Sequence, residues 1–214
     1  MVFSSWQTFY STNNYWRGFW NILGMIELTI ANDDISKKFI NETIKNFHSY
    51  VPSTASVGRR IDWVVFNNGK PVGMIGIGSS VYPPPKDILR HLNMPIKEYR
   101  NNFNSFANNW RFCMKEKIKN AGTQILKELR RQSPLHWKQK YNDELKYLIT
   151  FVAGGNNGAV YKADNWKMIG ETAGLPKHKS VSMKWHNKDE LKELYVKPTG
   201  ENKKIIFIKS LWKQ

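Results

Sequence analysis

The sequence predicts an α/β (α+β) chain folded around one mixed, mostly antiparallel central sheet with helices on both faces. Three stretches carry that expectation. IDWVVF and PVGMIGIG flank Asn67-Asn68-Gly69-Lys70, and Asn-Gly is the favoured two-residue link between antiparallel strands. WRFCMK at 110–115 is strand-like and leads through a glycine-containing turn into a segment with Ile125, Leu126 and Leu129 on one helical face,. LKYLITFV at 145–152 is an apolar, β-branched run that ends at AGGNNG and is followed by a short helix and a second strand,. Strands alternating with helices in this way form a covered sheet.

Taken in order, residues 1–34 read as an aromatic N-terminal extension packed on the core. Trp6, Phe9, Tyr10, Tyr15, Trp16, Phe19 and Trp20 recur three and four apart, the spacing of a buried helix face rather than of exposed stacking rings. Ile22 to Ile30 continues as an apolar segment closed by Asn32-Asp33-Asp34. Residues 35–214 read as a single domain without repeats or linkers. Ser36 to His48 is predicted helical from its stripe Phe39, Ile40, Ile44, Phe47,. After the 61–78 hairpin, YPPP blocks further strand. Lys86 to Asn93 reads as a short helix, and 96–106 is ambiguous. The helix from about Thr123 to Arg131 is expected to end or kink at Pro134. A short helix after Asn157 would carry Ala159, Ala163 and Trp166 on one face and Tyr161 with Asn165 on another. Residues 174–190 read as a basic loop, and ELYVKP with KKIIFIKSL as a C-terminal hairpin,.

Composition narrows the function classes. The 214 residues suffice for one sizeable core,. No apolar run reaches the length of a membrane span, and the N-terminus lacks the pattern of a signal peptide,. The single cysteine, Cys113, permits no internal disulfide and fits a reducing cytoplasm; its context is that of a small buried residue,. With 33 Lys+Arg against 17 Asp+Glu the net charge is +16. Such an excess favours polyanions, DNA above all, through counterion release. One cysteine and scattered histidines exclude a Cys/His metal centre, and neither HExxH, a phosphate-binding P-loop nor GxSxG occurs,. Paired carboxylates for two-metal chemistry are also missing.

The turn from Leu145 to Thr172 is the candidate site, since polar loops held by rigid strands carry function. A tight turn over a core tryptophan is the plain alternative. The second candidate wall is Lys119-Asn120-Ala121-Gly122-Thr123, where a strand, a turn and a helix N-terminus offer N–H groups to phosphate. A simple helix cap reads the same way.

These residues resemble three groups of proteins. The element order looks like the GNAT acyltransferase fold, whose pyrophosphate turn follows Arg/Gln-x-x-Gly-x-Gly/Ala; here Lys119 to Gln124 matches the middle glycine. ITFV followed by GAVYKADNWKMIGET, with looser similarity over FHSYVPSTASVGRRIDWVVFNNGKPVGMIGIGSS and NNWRFCMKEKIKNAGTQIL, resembles Mom-type phage DNA-modification proteins and the DruA-like domain of Druantia defence systems. The resemblance implies acyl-type transfer to the N6 group of adenine, protecting phage or mobile-element DNA from restriction. A non-catalytic DNA-binding module is what the DruA side implies. Acetyl-CoA or a related acyl-CoA is the implied donor, with Lys119, Asn120, Gly122, Thr123, Thr150 and Phe151 as its contacts. Tyr161 is the implied proton donor to the leaving thiolate. His48 would be a base or an iron ligand. Tyr50, Ser79, Ser80, Lys162, Asn165 and Trp166 would face the nucleic acid. Asn165 as a helix C-cap and His48 as a helix-end cap are the structural alternatives.

Overall fold

The computed structural model describes residues 25–48, 54, 58–153, 156–174 and 202–212. The aromatic residues of the first 24 positions, Tyr50, and Glu193–Pro198 of the expected C-terminal hairpin lie outside them.

The described strands are β1 (Ile26–Ile30), β2 (Arg60–Asn67), β3 (Lys70–Ser79), β4 (Phe106–Met114), β5 (Tyr147–Val152), β6 (Lys167–Glu171) and β7 (Ile205–Ser210). They form one sheet in the order β1-β2-β3-β4-β5-β7-β6. Every neighbouring pair is antiparallel except β4 with β5. The β2–β3 turn has Asn68 at φ 51° and Gly69 at φ 77°, the two left-handed positions that an Asn-Gly hairpin turn requires.

Helix α1 (Asp34–Phe47) starts where Asp33 accepts hydrogen bonds from the Ser36 N–H at 2.8 Å and the Ser36 hydroxyl at 2.7 Å,. Its Ile40 and Ile44 pack on Val64, Phe66, Met74 and Cys113, covering one face of the sheet. Helices α2 (Lys86–Leu92) and α3 (Ile96–Asn101) follow. The ambiguous 96–106 segment thus divides into α3, a 3-10 turn (Phe103–Ser105) and the first residue of β4. Helix α4 (Ala121–Tyr141) covers the opposite face through Ile125, Leu126, Leu129 and Trp137. Helix α5 (Ala159–Ala163) sits between β5 and β6.

Three features bear on the expected element pattern. Of the two outcomes expected at Pro134, an end to the helix is overturned: the residue lies inside α4, which runs on to Tyr141. Its missing N–H is outweighed by tertiary contacts beyond it. Trp137 is fully buried and donates to the Asn104 carbonyl at 2.9 Å, while the Tyr141 hydroxyl accepts from the Arg60 N–H at 2.7 Å,. Among the described residues the sheet begins at Ile26, so part of the expected N-terminal extension is edge strand β1. Strand β7 enters the sheet between β5 and β6.

Two glycines of β3, Gly73 and Gly76, are explained by close approach of the chain itself. A Cβ on Gly73 would lie 2.6 Å from the Cys113 carbonyl oxygen, and one on Gly76 would meet Trp110 Nε1 at 2.5 Å,.

Candidate active-site cleft

Strands β4 and β5 pair only at Phe106–Tyr147, Ala107–Leu148 and Asn108–Ile149. Beyond Asn108 they part, while β5 stays paired to β7 as far as Val152. The opening is a cleft of about 570 Å³ lined by β4, the end of β5 and the turn into α5.

Asn109 sits where the strands part. It is buried, and its Nδ2 donates to the Gly76 carbonyl at 2.8 Å and the Arg111 carbonyl at 3.1 Å. Its Oδ1 accepts from the Tyr161 hydroxyl at 2.7 Å, and its own carbonyl accepts from the Thr150 hydroxyl at 3.2 Å. Side-chain hydrogen bonds therefore replace the ladder that would otherwise join the strands. Tyr161 is 7% exposed and stacks on Phe207 at 5.7 Å and edge-on to Trp166 at 5.1 Å. Burial pushes its phenol up to about 12, only partly offset by the hydrogen bond from Thr150, so it is a neutral donor at pH 7. Sequence reasoning missed Asn109; its only signal is a pair of amides, Asn108-Asn109, inside a strand whose other polar residue is Arg111.

The other wall depends on an irregularity in β4. Gly76 faces Arg111 and Ile77 faces Asn109, leaving Trp110 as the extra residue of a bulge,. Trp110 packs with the cluster under α1, and the Arg60 and Arg111 guanidinium carbons lie 4.1 and 4.7 Å from its ring centroid,. Its Nε1 donates to Asp62 Oδ1 at 3.0 Å. Asp62 also pairs with Arg60, yet burial raises its carboxyl. His48, the residue after α1, lines the same cleft. Burial first, and then the charge of Arg111, lower its imidazole below the ordinary value, so it is neutral at pH 7.

The structure gathers some predicted residues and separates others. Thr150, Phe151, Tyr161 and His48 all line the cleft. Lys119, Asn120, Gly122 and Thr123 form the N-terminus of α4, adjoining α5: a Cβ on Gly122 would lie 2.4 Å from Val160 Cγ2, and Val160 lines the cleft. Packing against Val160 thus explains Gly122 by itself. Ser79 and Ser80 do not line the cleft. The Ser79 hydroxyl accepts from the Arg59 N–H at 2.8 Å, and the Ser80 hydroxyl bonds the Tyr99 hydroxyl at 2.7 Å. Lys162 and Asn165 are exposed and away from the cleft, and Trp166 is buried. The expected pairing of Tyr161 with Asn165 on one helical face gives way because α5 ends at Ala163. Asn165 then turns left-handed at φ 56°, and the Trp166 N–H returns to the Tyr161 carbonyl at 2.9 Å. Trp166 is held further by Asp164, which accepts its Nε1–H at 2.9 Å and takes both the Nε and Nη2 of Arg130,.

Iron does not fit this site. Among the described residues no group of three His, Cys, Asp or Glu side chains converges, and the cleft lining places a cation, Arg111, beside His48.

No family model matches the sequence, and no curated protein matches it. Solved structures do. The chain is similar to FeeM, an N-acyl amino acid synthase from uncultured soil microbes, at 11% identity over 90% of this chain and 93% of that one, with a TM-score of 0.51. It is also similar to an N-acetyltransferase from Staphylococcus aureus Mu50 at 11% identity, 87% and 98% coverage and a TM-score of 0.49. An aminoglycoside acetyltransferase in complex with coenzyme A aligns at 10% identity, 87% and 95% coverage and a TM-score of 0.49. The fold is GNAT-like. The likeness to FeeM is one of fold. None of the described helices is long and apolar enough to cross a membrane.

Proposed function

We propose that this chain transfers an acyl group from an acyl-CoA to an amine, and that the acceptor is the N6 amine of adenine in DNA. The observation that carries the reading is the cleft between the parted strands. Thr150, Phe151 and Val160 line it beside a neutral imidazole and a protonated phenol. The N-terminus of α4, with its dipole and first-turn N–H groups, adjoins that cleft and suits a pyrophosphate,. The net charge of +16 supports a polyanionic acceptor,.

Bound acyl-CoA supplies a thioester carbonyl. The amine lone pair forms the new C–N bond as the C–S bond breaks. His48 takes the proton that the amine loses, and the Tyr161 hydroxyl supplies one to the departing sulfur. The products are an acylated amine and a free thiol. Asn109 holds the phenol in place until that transfer. An adenine inside a duplex is out of reach, so the base must be flipped or already unpaired.

A DNA-binding module without transfer is the second reading. It is favoured by Gly122, the one match to the pyrophosphate turn, which packing against Val160 already explains.

Mass spectrometry of nucleosides from DNA of cells expressing the protein tests the first reading. A modified deoxyadenosine is expected with the wild type and a loss of it with Tyr161→Phe. Unmodified adenine in the expressing cells overturns it. Acetyl-CoA is expected to raise the unfolding midpoint of the purified protein, because a ligand of the native state must do so; an unchanged midpoint removes the donor.

A further inference from the structure

The cleft passes through the sheet. On the α4 face lie α5 and Tyr161; on the α1 face lie His48, Trp110 and Arg111. The bulge makes this second face unusual. Its extra residue leaves Trp110 and Arg111, consecutive in sequence, on the same side, where the Arg111 guanidinium lies over the Trp110 ring,. Arg60 lies over that ring as well. Gly76 is what lets Trp110 reach Asp62, since a Cβ there would collide with both. Arg111 is further fixed by donating its Nη1–H to the Trp110 carbonyl at 2.7 Å. Burial, followed by the charge of Arg60, lowers the Arg111 guanidinium from its ordinary value. Two guanidiniums are thus held close enough for their charges to oppose one another, with the neutral imidazole of His48 beside Arg111. The cleft itself is lined by Arg111 and Lys204 and, among the described residues, by no carboxylate. Such a pre-positioned positive wall favours an oxyanion, and an arginine presents it a rigid fork of donors.

We propose that Arg111, positioned by Trp110 and Arg60, forms an acceptor subsite that binds a phosphate oxyanion of the nucleic-acid strand beside His48. This rests on the DNA-acceptor reading. The donor end of the cleft, at the N-terminus of α4, is on the opposite face, so the subsite serves the acceptor.

Fluorescence anisotropy of a labelled single-stranded oligodeoxynucleotide, titrated with the full chain at several salt concentrations, tests it. Arg111→Gln is expected to weaken binding about ten- to hundred-fold at low salt. It should also reduce the slope of log affinity against log salt by about one phosphate contact. Arg111→Lys is expected to keep the slope and lose part of the affinity. Neither change should alter the acetyl-CoA shift in unfolding midpoint, which also shows that each variant is folded. Wild-type binding with an unchanged Arg111→Gln slope and affinity overturns the subsite and leaves the DNA reading standing. Absence of wild-type binding at low salt overturns both. Equal loss of oligonucleotide binding and of the acetyl-CoA shift also overturns the subsite, because Arg111 would then be serving the fold.

Discussion

The same two strands are closed over their first three residues and open over the rest. In the closed half, Phe106 stacks on Tyr147 at 4.8 Å and Leu148 and Ile149 are fully buried. In the open half the bonds are polar: Asn109 to Thr150 across the strands, and Asn109 to Tyr161 of α5. Apolar packing draws backbones to ladder distance. A buried amide that spends both ends on hydrogen bonds holds them apart without leaving polar groups unpaired. The cleft is therefore built by substituting one kind of bond for another.

The largest effect is expected in the closed half. Phe106→Ala should cost about 3–5 kcal/mol through lost burial and a cavity, read as a lower urea midpoint. A loss below about 1 kcal/mol would show that the closed half does not hold the strands together. In the open half, Tyr161→Phe strands a buried Asn109 oxygen and should cost about 1–3 kcal/mol. If the phenol serves as the acid, acyl transfer should fall about a hundred-fold or more as well; unaltered turnover would assign Tyr161 to structure alone. Gly122→Ala should cost about 1–3 kcal/mol by overpacking against Val160. Restoration by an added Val160→Ala would confirm packing, whereas a continued loss of the acetyl-CoA shift in the double variant would assign Gly122 to the donor.

The smallest effects are in pH. The folded Tyr161 phenol keeps its proton up to about 12, above the value of 10.0 for a free phenol. Its contribution to stability is full below that unfolded value and is lost as pH rises through the folded one. Alkaline denaturation curves of wild type and Tyr161→Phe should diverge in that window; superimposed curves would contradict it. His48 is shifted the other way, below 6.5. Its neutral form, and the stability linked to it, are present above that value and are lost as pH falls through the folded one. The acid limb of kcat/KM should have its midpoint below 6.5, and Arg111→Gln should move it upward by removing a neighbouring charge. A limb unmoved by Arg111→Gln would separate His48 from that wall.

Much of the frame was legible because it rests on local rules. Asn68-Gly69 specifies its turn through backbone conformation, and the stripe Phe39, Ile40, Ile44, Phe47 specifies α1 through periodicity,. The run Tyr147–Val152 likewise reads as a buried strand. Of the site, Thr150, Phe151, Tyr161 and His48 are reached only through the family resemblance, and they line the cleft. Asn109, Trp110 and Arg111 were not legible, because a bulge is a mismatch between two strands and exists only once β3 and β4 are paired,. Pro134 shows the same division: the residue opposes helix locally, and only the buried Trp137 and the Tyr141–Arg60 hydrogen bond decide that the helix continues.

By itself the sequence determined the β2–β3 hairpin, α1, the buried strand β5, the basic charge and the polar turn before Tyr161, since each depends on neighbours within a few positions. Tertiary structure alone decided that β4 and β5 part after Asn108, that Trp166 folds back onto Tyr161, and that Arg111 stands beside His48. Those facts depend on groups far apart in the chain competing for the same hydrogen bonds and the same space.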